Sequence, residues 1–229
     1  KMLLACGLVS SVLYFVINII VPTHWPGYHL ASRVPSELSA IGAPTRTLWT
    51  VLATPYTFLM LAFACGILKA AGDNRRLRIA GKLLLAYGAL GFLWPFAPMH
   101  LRETLAAGGN TFSDTMHLAL GAATEILYVC ALVFAAAALG KKFRLYSIVT
   151  CIVLFVFGVL TFLEAPGIAR NEPTPRIGVW ERINIGLFLA WIIVLALILL
   201  RREKQAVVSQ RNSNIKIVIR NEKDAPFRS

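Results

Sequence analysis

The chain has 229 residues, of which 57% are hydrophobic and only 15% charged, and its formal net charge is +12. Because a soluble domain usually has about a quarter of its residues charged, this composition argues against a soluble protein. The basic residues lie in short patches between apolar runs. Such patches are typical of the topology determinants of a membrane protein, and they argue against nucleic-acid binding.

Six apolar runs are each close to the ~20 residues that an α-helix needs to cross about 30 Å of hydrocarbon. Peptide groups find no water there, so such runs must be helical, and none alternates as the strands of a membrane barrel do. The sequence therefore predicts an all-α, six-helix transmembrane bundle over residues 1–202. Its spans are predicted at 2–21, 48–68, 79–98, 115–139, 145–163 and 183–200.

The first run resembles a signal peptide, but it is too long and lacks a small-x-small cleavage site, so we expect a retained helix. Pro55 is expected to kink the second span, and a loop with three prolines separates the last two spans. The sixth span stops at the basic pair Arg201-Arg202. Residues 203–229 are expected to form a polar, mobile cytoplasmic tail, in which 215–219 could pair as a strand.

Positive charge is sorted between the two ends of the predicted bundle. The turns after spans two, four and six, together with Lys1 and the tail, hold 17 of the 23 lysines and arginines. The other three loops hold six arginines and no lysine. By the positive-inside rule the basic end is cytoplasmic. We therefore predict a multi-pass protein of the cell membrane with both its N- and C-termini in the cytoplasm.

All four histidines then fall at the outer end of the bundle, together with six acids and six arginines, and any chemistry is expected there. The alternative is that each of these residues is a solvated loop residue or an interfacial anchor with no role in chemistry. The histidines are His24, His29, His100 and His117.

The segment Asp114-Thr-Met-His117 carries the sharpest local signal. Asp114 suits the N-cap of span four, and His117 shares its face, where a carboxylate can fix the imidazole tautomer and raise its basicity. His100 follows span three. If spans three and four pack as an antiparallel pair, both imidazoles could reach one divalent ion such as zinc, with Asp114 or Glu37 completing the ligand set. The spacing matches no established metal motif.

Glu125 lies on the same helix face as His117, roughly 15 Å below the outer boundary at 1.5 Å per residue. Ionising an acid at that depth costs about 2.5 kcal/mol or more. Glu125 must therefore face the bundle interior, be protonated or find a partner. Tyr14, Tyr56 and Tyr87 lie at a similar predicted depth and could donate to it, so a structural acid and a functional one both remain open.

The outer loops also offer arginines whose planar guanidinium suits a carboxylate, a phosphate or an anionic headgroup. We expect these groups and the outer acids to share one outward-facing polar pocket between helices. Its ligand-binding candidates are Glu37, His100, Arg102, Asp114, His117, Glu125 and Arg182.

Short motifs follow one another in a fixed order along the chain. They are Gly27-Tyr28 and Ser36-Glu37-Leu38, then Trp94-Pro95-Phe96-Ala97-Pro98, then His117, and finally Arg182 followed nine residues later by Trp191. In these motifs residues 7 to 200 resemble the integral membrane family catalogued as domain of unknown function 998. That family's pattern has an aspartate where this chain has Ala97. The resemblance implies six spans and brings no established activity.

Three functions fit the sequence. The favoured one is a non-enzymatic membrane protein, in contact with membrane lipids, whose outward pocket binds a small molecule or a lipid headgroup. A membrane-embedded, metal-dependent hydrolase using His100 and His117 is the second. The third is a proton-coupled carrier in which Glu125 titrates, although the chain lacks the internal repeat that most carriers have.

Overall fold

The computed structural model describes residues 1–223, and seven α-helices lie within them. They are α1 (Met2–Ile20), α2 (Arg46–Ala70), α3 (Arg75–Leu90), α4 (Arg102–Ala106), α5 (Phe112–Ala138), α6 (Lys141–Ala169) and α7 (Ile177–Lys223). No β-strand occurs in this described part of the chain. All the helices except the short α4 are long and apolar enough to cross a membrane. The predicted six-helix transmembrane bundle is thereby confirmed.

Several helix ends differ from the predicted spans. The third helix ends at Leu90 rather than at 98. From Gly91 to Leu93 the backbone N–H groups bond three residues back, and Pro95 has no N–H with which to resume the α-helical pattern. The helix α6 continues through Pro166 to Ala169, six residues beyond the predicted end of the fifth span. The helix α7 begins at Ile177, six residues before the predicted start.

The helix α7 also runs well past the basic pair Arg201-Arg202, to Lys223. Residues 201–223 contain neither glycine nor proline, so nothing in the local sequence ends the helix. The strand considered for residues 215–219 is therefore wrong, because those residues are helical. Residues 224–229 of the predicted tail lie outside the described residues.

The six long helices form a closed ring in the order α1, α2, α3, α5, α6 and α7, which packs back against α1. The predicted pairing of spans three and four is present as the α3–α5 contact. At one end of the bundle the ring of helices encloses an apolar core. This core includes Phe63, Ile67, Leu132, Trp191 and Leu195, all fully or almost fully buried.

The opposite end is closed by three connections that meet one another, residues 21–45, 91–111 and 170–176, which we call the cap. The backbone N–H of Ile41 donates to the carbonyl of Met99 at 2.7 Å. The N–H of Gly178, in the first turn of α7, donates to the carbonyl of Ala31 at 2.9 Å. The arginine-containing, lysine-free loops predicted to share one end of the bundle thus do so.

Candidate functional site

Glu37 lies at the centre of the cap with no exposed surface. Both its oxygens accept from the Arg102 guanidinium, from Nε at 2.9 Å and from Nη2 at 2.7 Å. Arg33 donates to the same carboxylate at 3.1 Å, and the backbone N–H of Val34 donates at 3.0 Å. Four donors satisfy this carboxylate, so it has little capacity left for a ligand.

Arg102 is 5% exposed and joins all three connections of the cap. Besides Glu37, its guanidinium donates to the hydroxyl of Thr174 and to the carbonyl of Ser32, each at 2.7 Å. The Thr174 hydroxyl in turn donates to the Ser32 carbonyl at 3.0 Å. The arrangement is a structural clamp, since the donors of Arg102 point at fixed protein acceptors.

Arg182 ties the first turns of α7 to the loop after α1. Its Nη1 donates to the carbonyls of Leu30 at 2.7 Å and Arg33 at 2.8 Å, and its Nη2 donates to the Tyr28 hydroxyl at 2.8 Å. Burial raises the pKa of Tyr28 well above its usual range, so the hydroxyl stays protonated and donates to the Val34 carbonyl at 2.8 Å. The Nε of Arg182 is buried and has no hydrogen-bond partner within the described residues.

His100 and Asp114 pair directly at the rim of the cap. The imidazole Nδ1 lies 2.8 Å from one carboxylate oxygen, and the His100 backbone N–H donates to the other at 2.7 Å. The expected N-cap role of Asp114 is wrong, because Thr111 occupies that position. Asp114 lies three residues inside and accepts from the Thr111 N–H at 2.8 Å, which forms a capping box.

His117 does not pair with Asp114, although the two are three residues apart on α5. Its Nδ1 lies 2.9 Å from the Ala97 carbonyl, and since a carbonyl only accepts, Nδ1 carries the proton. The ring packs edge-on against Trp94, with centroids 5.0 Å apart. The backbone at position 97, where the family pattern has an acid, thus holds the histidine through its carbonyl.

The predicted outer residues therefore share the cap end but form two separate networks. One joins Glu37, Arg102 and Arg182 to the first loop, and the other joins His100 to Asp114. His117 belongs to neither and bonds to the Ala97 carbonyl. Throughout the described part of the chain, no group of three or more His, Cys, Asp or Glu side chains is placed to hold a metal ion. The three proposed metal ligands, His100, His117 and Asp114, do not form such a group.

Glu125 lies on α5 with an exposed side chain, whose carboxylate approaches Gly158 of α6. A Cβ atom built at Gly158 would lie 3.7 Å from a Glu125 oxygen and 3.5 Å from the Asn184 amide of α7. With its amide group turned to suit its neighbours, buried Asn184 donates to the Leu154 carbonyl at 3.0 Å and accepts from the Gly158 N–H at 3.1 Å. Side chains of α5 and α7 thus both approach α6 at Gly158.

Glu181 is a residue whose importance sequence reasoning missed. Its charge lies within Coulombic range of two other carboxylates, Glu37 and Glu125, and of the neighbouring guanidinium of Arg182. No described residue donates a hydrogen bond to it. It lies three residues before Asn184 and seven before Phe188, on the buried face of α7. That helical spacing could have identified it, had the helix not been predicted to start at 183.

Four tyrosines from four helices form a continuous row across the ring beside these acids. The rings of Tyr14 and Tyr56 lie 4.6 Å apart, and the hydroxyls of Tyr56 and Tyr87 lie 2.7 Å apart. Tyr128 continues the row at 6.4 Å from Tyr87, and its hydroxyl approaches the Glu125 carboxylate. Glu181 lies within Coulombic range of Tyr14 and Tyr128.

We call these acids, tyrosines and amide the carboxylate–tyrosine cluster. Its members are Tyr14, Tyr56, Tyr87, Glu125, Tyr128, Glu181 and Asn184. Of these, only Glu125 was among the ligand-binding residues predicted from the sequence, while three of the tyrosines were predicted as its neighbours.

Comparison with known proteins bears on the fold more than on chemistry. The family model described as "Protein of unknown function (DUF998)" matches residues 8–198. The chain belongs to this family. No curated protein and no solved structure matches it. In this DUF998 chain, Tyr28, Glu37 and Arg182 of the quoted motifs all lie in the cap networks, whereas Trp191 lies in the apolar core and donates to the Ser147 hydroxyl at 3.0 Å.

Proposed function

We propose that this membrane protein binds a small ligand at the carboxylate–tyrosine cluster between its helices. The observation that carries the proposal is Glu181, a half-buried carboxylate in the second turn of the apolar helix α7 to which no described residue donates a hydrogen bond. Acids at such positions are costly and usually mark a binding site or an ion pathway. The tyrosine row from α1, α2, α3 and α5 and the exposed side chain of Glu125 lie within Coulombic range of it or of one another.

The cap supports this proposal by contrast, because its carboxylates Glu37 and Asp114 already accept hydrogen bonds. Glu37 and Arg102 pair with each other, and Asp114 pairs with His100. A ligand at the cap would have to displace hydrogen bonds that hold the loops together, and each such loss carries the cost of an unpaired buried group. We therefore propose a pocket at the carboxylate–tyrosine cluster, whereas most of the residues predicted from the sequence lie in the cap.

A proton-coupled carrier is the second candidate, and one observation favours it. Glu125 and Glu181 lie within Coulombic range of each other, and acids in spanning helices are the groups that carriers use to relay protons. Such a pair could exchange a proton for a bound ligand. Transport would be expected to disappear in Glu125→Gln and Glu181→Gln alike, whereas a plain binding protein moves no solute in liposomes.

Thiol accessibility tests whether the cluster is reached by water. In a background without Cys6, Cys65, Cys130 and Cys151, single variants Glu125→Cys and Glu181→Cys are treated in membranes with water-soluble methanethiosulfonate reagents of either charge. We expect Glu181→Cys to react, because the thiolate that attacks the reagent needs an aqueous environment. Glu125→Cys, whose native side chain is exposed on α5, should react only if water reaches that side of the helix.

Ile126→Cys is the matched control, since Ile126 is adjacent to Glu125 and 63% exposed on the outside of the ring. Lipid covers that surface in a membrane, so its thiol stays protonated and reacts about tenfold more slowly or less. Equal, slow reaction at positions 125, 126 and 181 would refute a ligand site between the helices.

A further inference from the structure

We infer that six lysines and arginines at the end of the bundle opposite the cap bind the headgroup of an anionic phospholipid. They lie in the first turns of α3 and α6, and we call them the basic patch: Arg75, Arg76, Arg78, Lys141, Lys142 and Arg144. The inference shares no residue with the carboxylate–tyrosine cluster, so the two proposals stand or fall separately.

The C-terminal end of α5 holds the two halves of the basic patch together. Its last carbonyls, those of residues 136–138, accept hydrogen bonds from side chains on both sides. From the side of α3, Arg76 donates at 3.2 Å and the helix cap Asn74 donates at 3.1 Å. From the side of α6, Arg144 donates at 3.4 Å. The starts of α3 and α6 thus flank one helix end, and their cations form one surface rather than two separate turns.

The positive charge of this surface is not balanced by the protein. All six side chains are exposed, and none forms an ion pair with a carboxylate among the side chains that the structure describes. Asp73 is the single acid in the two stretches 71–78 and 139–144. Arg76 and Arg144 also face the negative end of the α5 dipole, which amounts to only about half an elementary charge. A large positive excess remains, and it attracts an anion.

The residue types and their level in the bundle suit the phosphate of a lipid. Guanidinium groups donate to phosphate oxygens in pairs, and lysine ammonium groups add charge without a fixed direction. Arg76 and Arg144 each have further N–H groups besides the one that bonds to α5. Because the patch lies where two membrane-spanning helices begin, its side chains are at the level of the headgroups of one leaflet, where anionic lipids attract basic segments.

An apolar stripe on the outer side of α6 begins directly beside the patch. Steps of four, seven, eleven and fourteen residues from Lys141 lead to Leu145, Ile148, Ile152 and Phe155, which are between 48% and 72% exposed. Such steps return to the same side of a helix, so a phosphate held at Lys141 would place acyl chains on this stripe. A headgroup contact in line with a tail contact fits a phospholipid better than a free phosphate.

Lipid binding is measured by native mass spectrometry of the delipidated full chain in a neutral maltoside detergent. The probes are dioctanoyl phosphatidylglycerol, dioctanoyl phosphatidylcholine and glycerophosphoglycerol, the free headgroup. We expect phosphatidylglycerol to bind at least about tenfold more tightly than the other two, because phosphatidylcholine has no net charge and the free headgroup has no acyl chains. This comparison uses the wild-type chain and does not depend on a variant folding.

Variants of the patch then locate the site. The triple variant Arg75→Gln, Lys141→Gln, Lys142→Gln should weaken phosphatidylglycerol binding at least about tenfold, since it removes three of the charges that the headgroup meets. Lys141→Gln alone should weaken binding about threefold or more, and it keeps the test decisive should the triple variant fail to fold.

Lysines and arginines at a helix end also orient a membrane protein, a role that depends on their number at one end rather than on their exact positions. The matched control is therefore Arg201→Gln, Arg202→Gln, Lys204→Gln, which removes three exposed charges from α7 at the same end of the bundle. It should change binding less than about threefold. Binding of phosphatidylglycerol that is lost in the patch variants and kept in the control supports the inference. Equal binding of phosphatidylcholine, equal binding of the free headgroup, or the same loss in both triple variants overturns it.

Discussion

At the scale of single residues, the buried pair of Glu37 and Arg102 shows why a charged residue in a membrane protein need not be a functional one. The two side chains are 0% and 5% exposed and share two hydrogen bonds. Removing water from both charges is costly, and the pair persists because its geometry is bidentate and its other donors are used. Its role is to hold the cap together.

Breaking this pair should destabilise the protein. Arg102→Met removes two of the four donors of the buried Glu37 carboxylate, which keeps Arg33 and the Val34 N–H, and we expect a loss of about 1–3 kcal/mol. The apparent melting temperature of the detergent-purified protein measures it. The double variant Glu37→Met, Arg102→Met should recover part of the loss, since it leaves no buried carboxylate short of donors.

Arg170→Met provides the control for this prediction. Arg170 pairs with Glu172 at 2.8 Å on the surface, where both side chains are more than half exposed. Salt and water screen such a pair, so the melting temperature should not change. A drop as large as that of Arg102→Met would show that any lost arginine pair has the same effect, and that burial is not the cause.

At the scale of helices, small residues set how closely α1 and α2 approach. A Cβ atom at Gly66 would lie 3.0 Å from the backbone of Leu3 and Leu4, and one at Gly7 would lie 2.7 Å from the Phe63 ring. Helices in membranes associate through close packing of this kind, because lipid gives no hydrophobic drive between them. Gly7 and Gly66 therefore allow the close contact between α1 and α2 on this side of the ring.

Gly66→Val should separate α1 from α2 and cost about 1–3 kcal/mol, because backbone atoms cannot move aside as a flexible side chain can. Gly121→Val is the matched control, since no atom lies within 4 Å of a Cβ at that position of α5. Thermal unfolding and gel-filtration profiles of the two variants make the comparison. Equal behaviour of both would contradict the close contact at Gly66.

At the scale of the whole molecule, one end of the ring is packed with apolar side chains and the other is closed by a hydrogen-bonded cap. The carboxylate–tyrosine cluster lies between them. A ligand entering from the cap side would have to pass groups that hold the loops in place. The side of the membrane on which the cap lies therefore determines where a ligand would come from, and charge sorting predicts the outside.

Labelling of intact cells tests that orientation. In the cysteine-free background, Leu30→Cys lies in the cap, where Leu30 is 49% exposed. It should react with an impermeant maleimide before the cells are opened. Asp73→Cys, in the exposed turn between α2 and α3, should react only after permeabilisation. The reverse pattern would place the cap in the cytoplasm.

The sequence by itself determined the six spanning helices and the gathering of arginines and acids at one end. Hydrocarbon leaves a peptide chain no other way to satisfy its backbone, so apolar length alone predicts each helix. It also indicated that Glu125 needs a partner and that Tyr14, Tyr56 and Tyr87 lie at its depth. The sequence determined the helix ends less well. Pro95 and Pro166 both lie near the end of an apolar run, but α3 ends before Pro95, whereas α6 continues through Pro166.

Only the tertiary structure decided which charged groups are paired and which remain available. Glu37 meets Arg102 across 65 residues of sequence, and Tyr28 meets Arg182 across 154. Such contacts depend on how the loops fold over the ring, a choice that no local pattern encodes. Burial makes the choice decisive, since a buried and paired carboxylate such as Glu37 holds the structure together. Glu181, to which no described residue donates a hydrogen bond, is the acid at which we propose that a ligand binds.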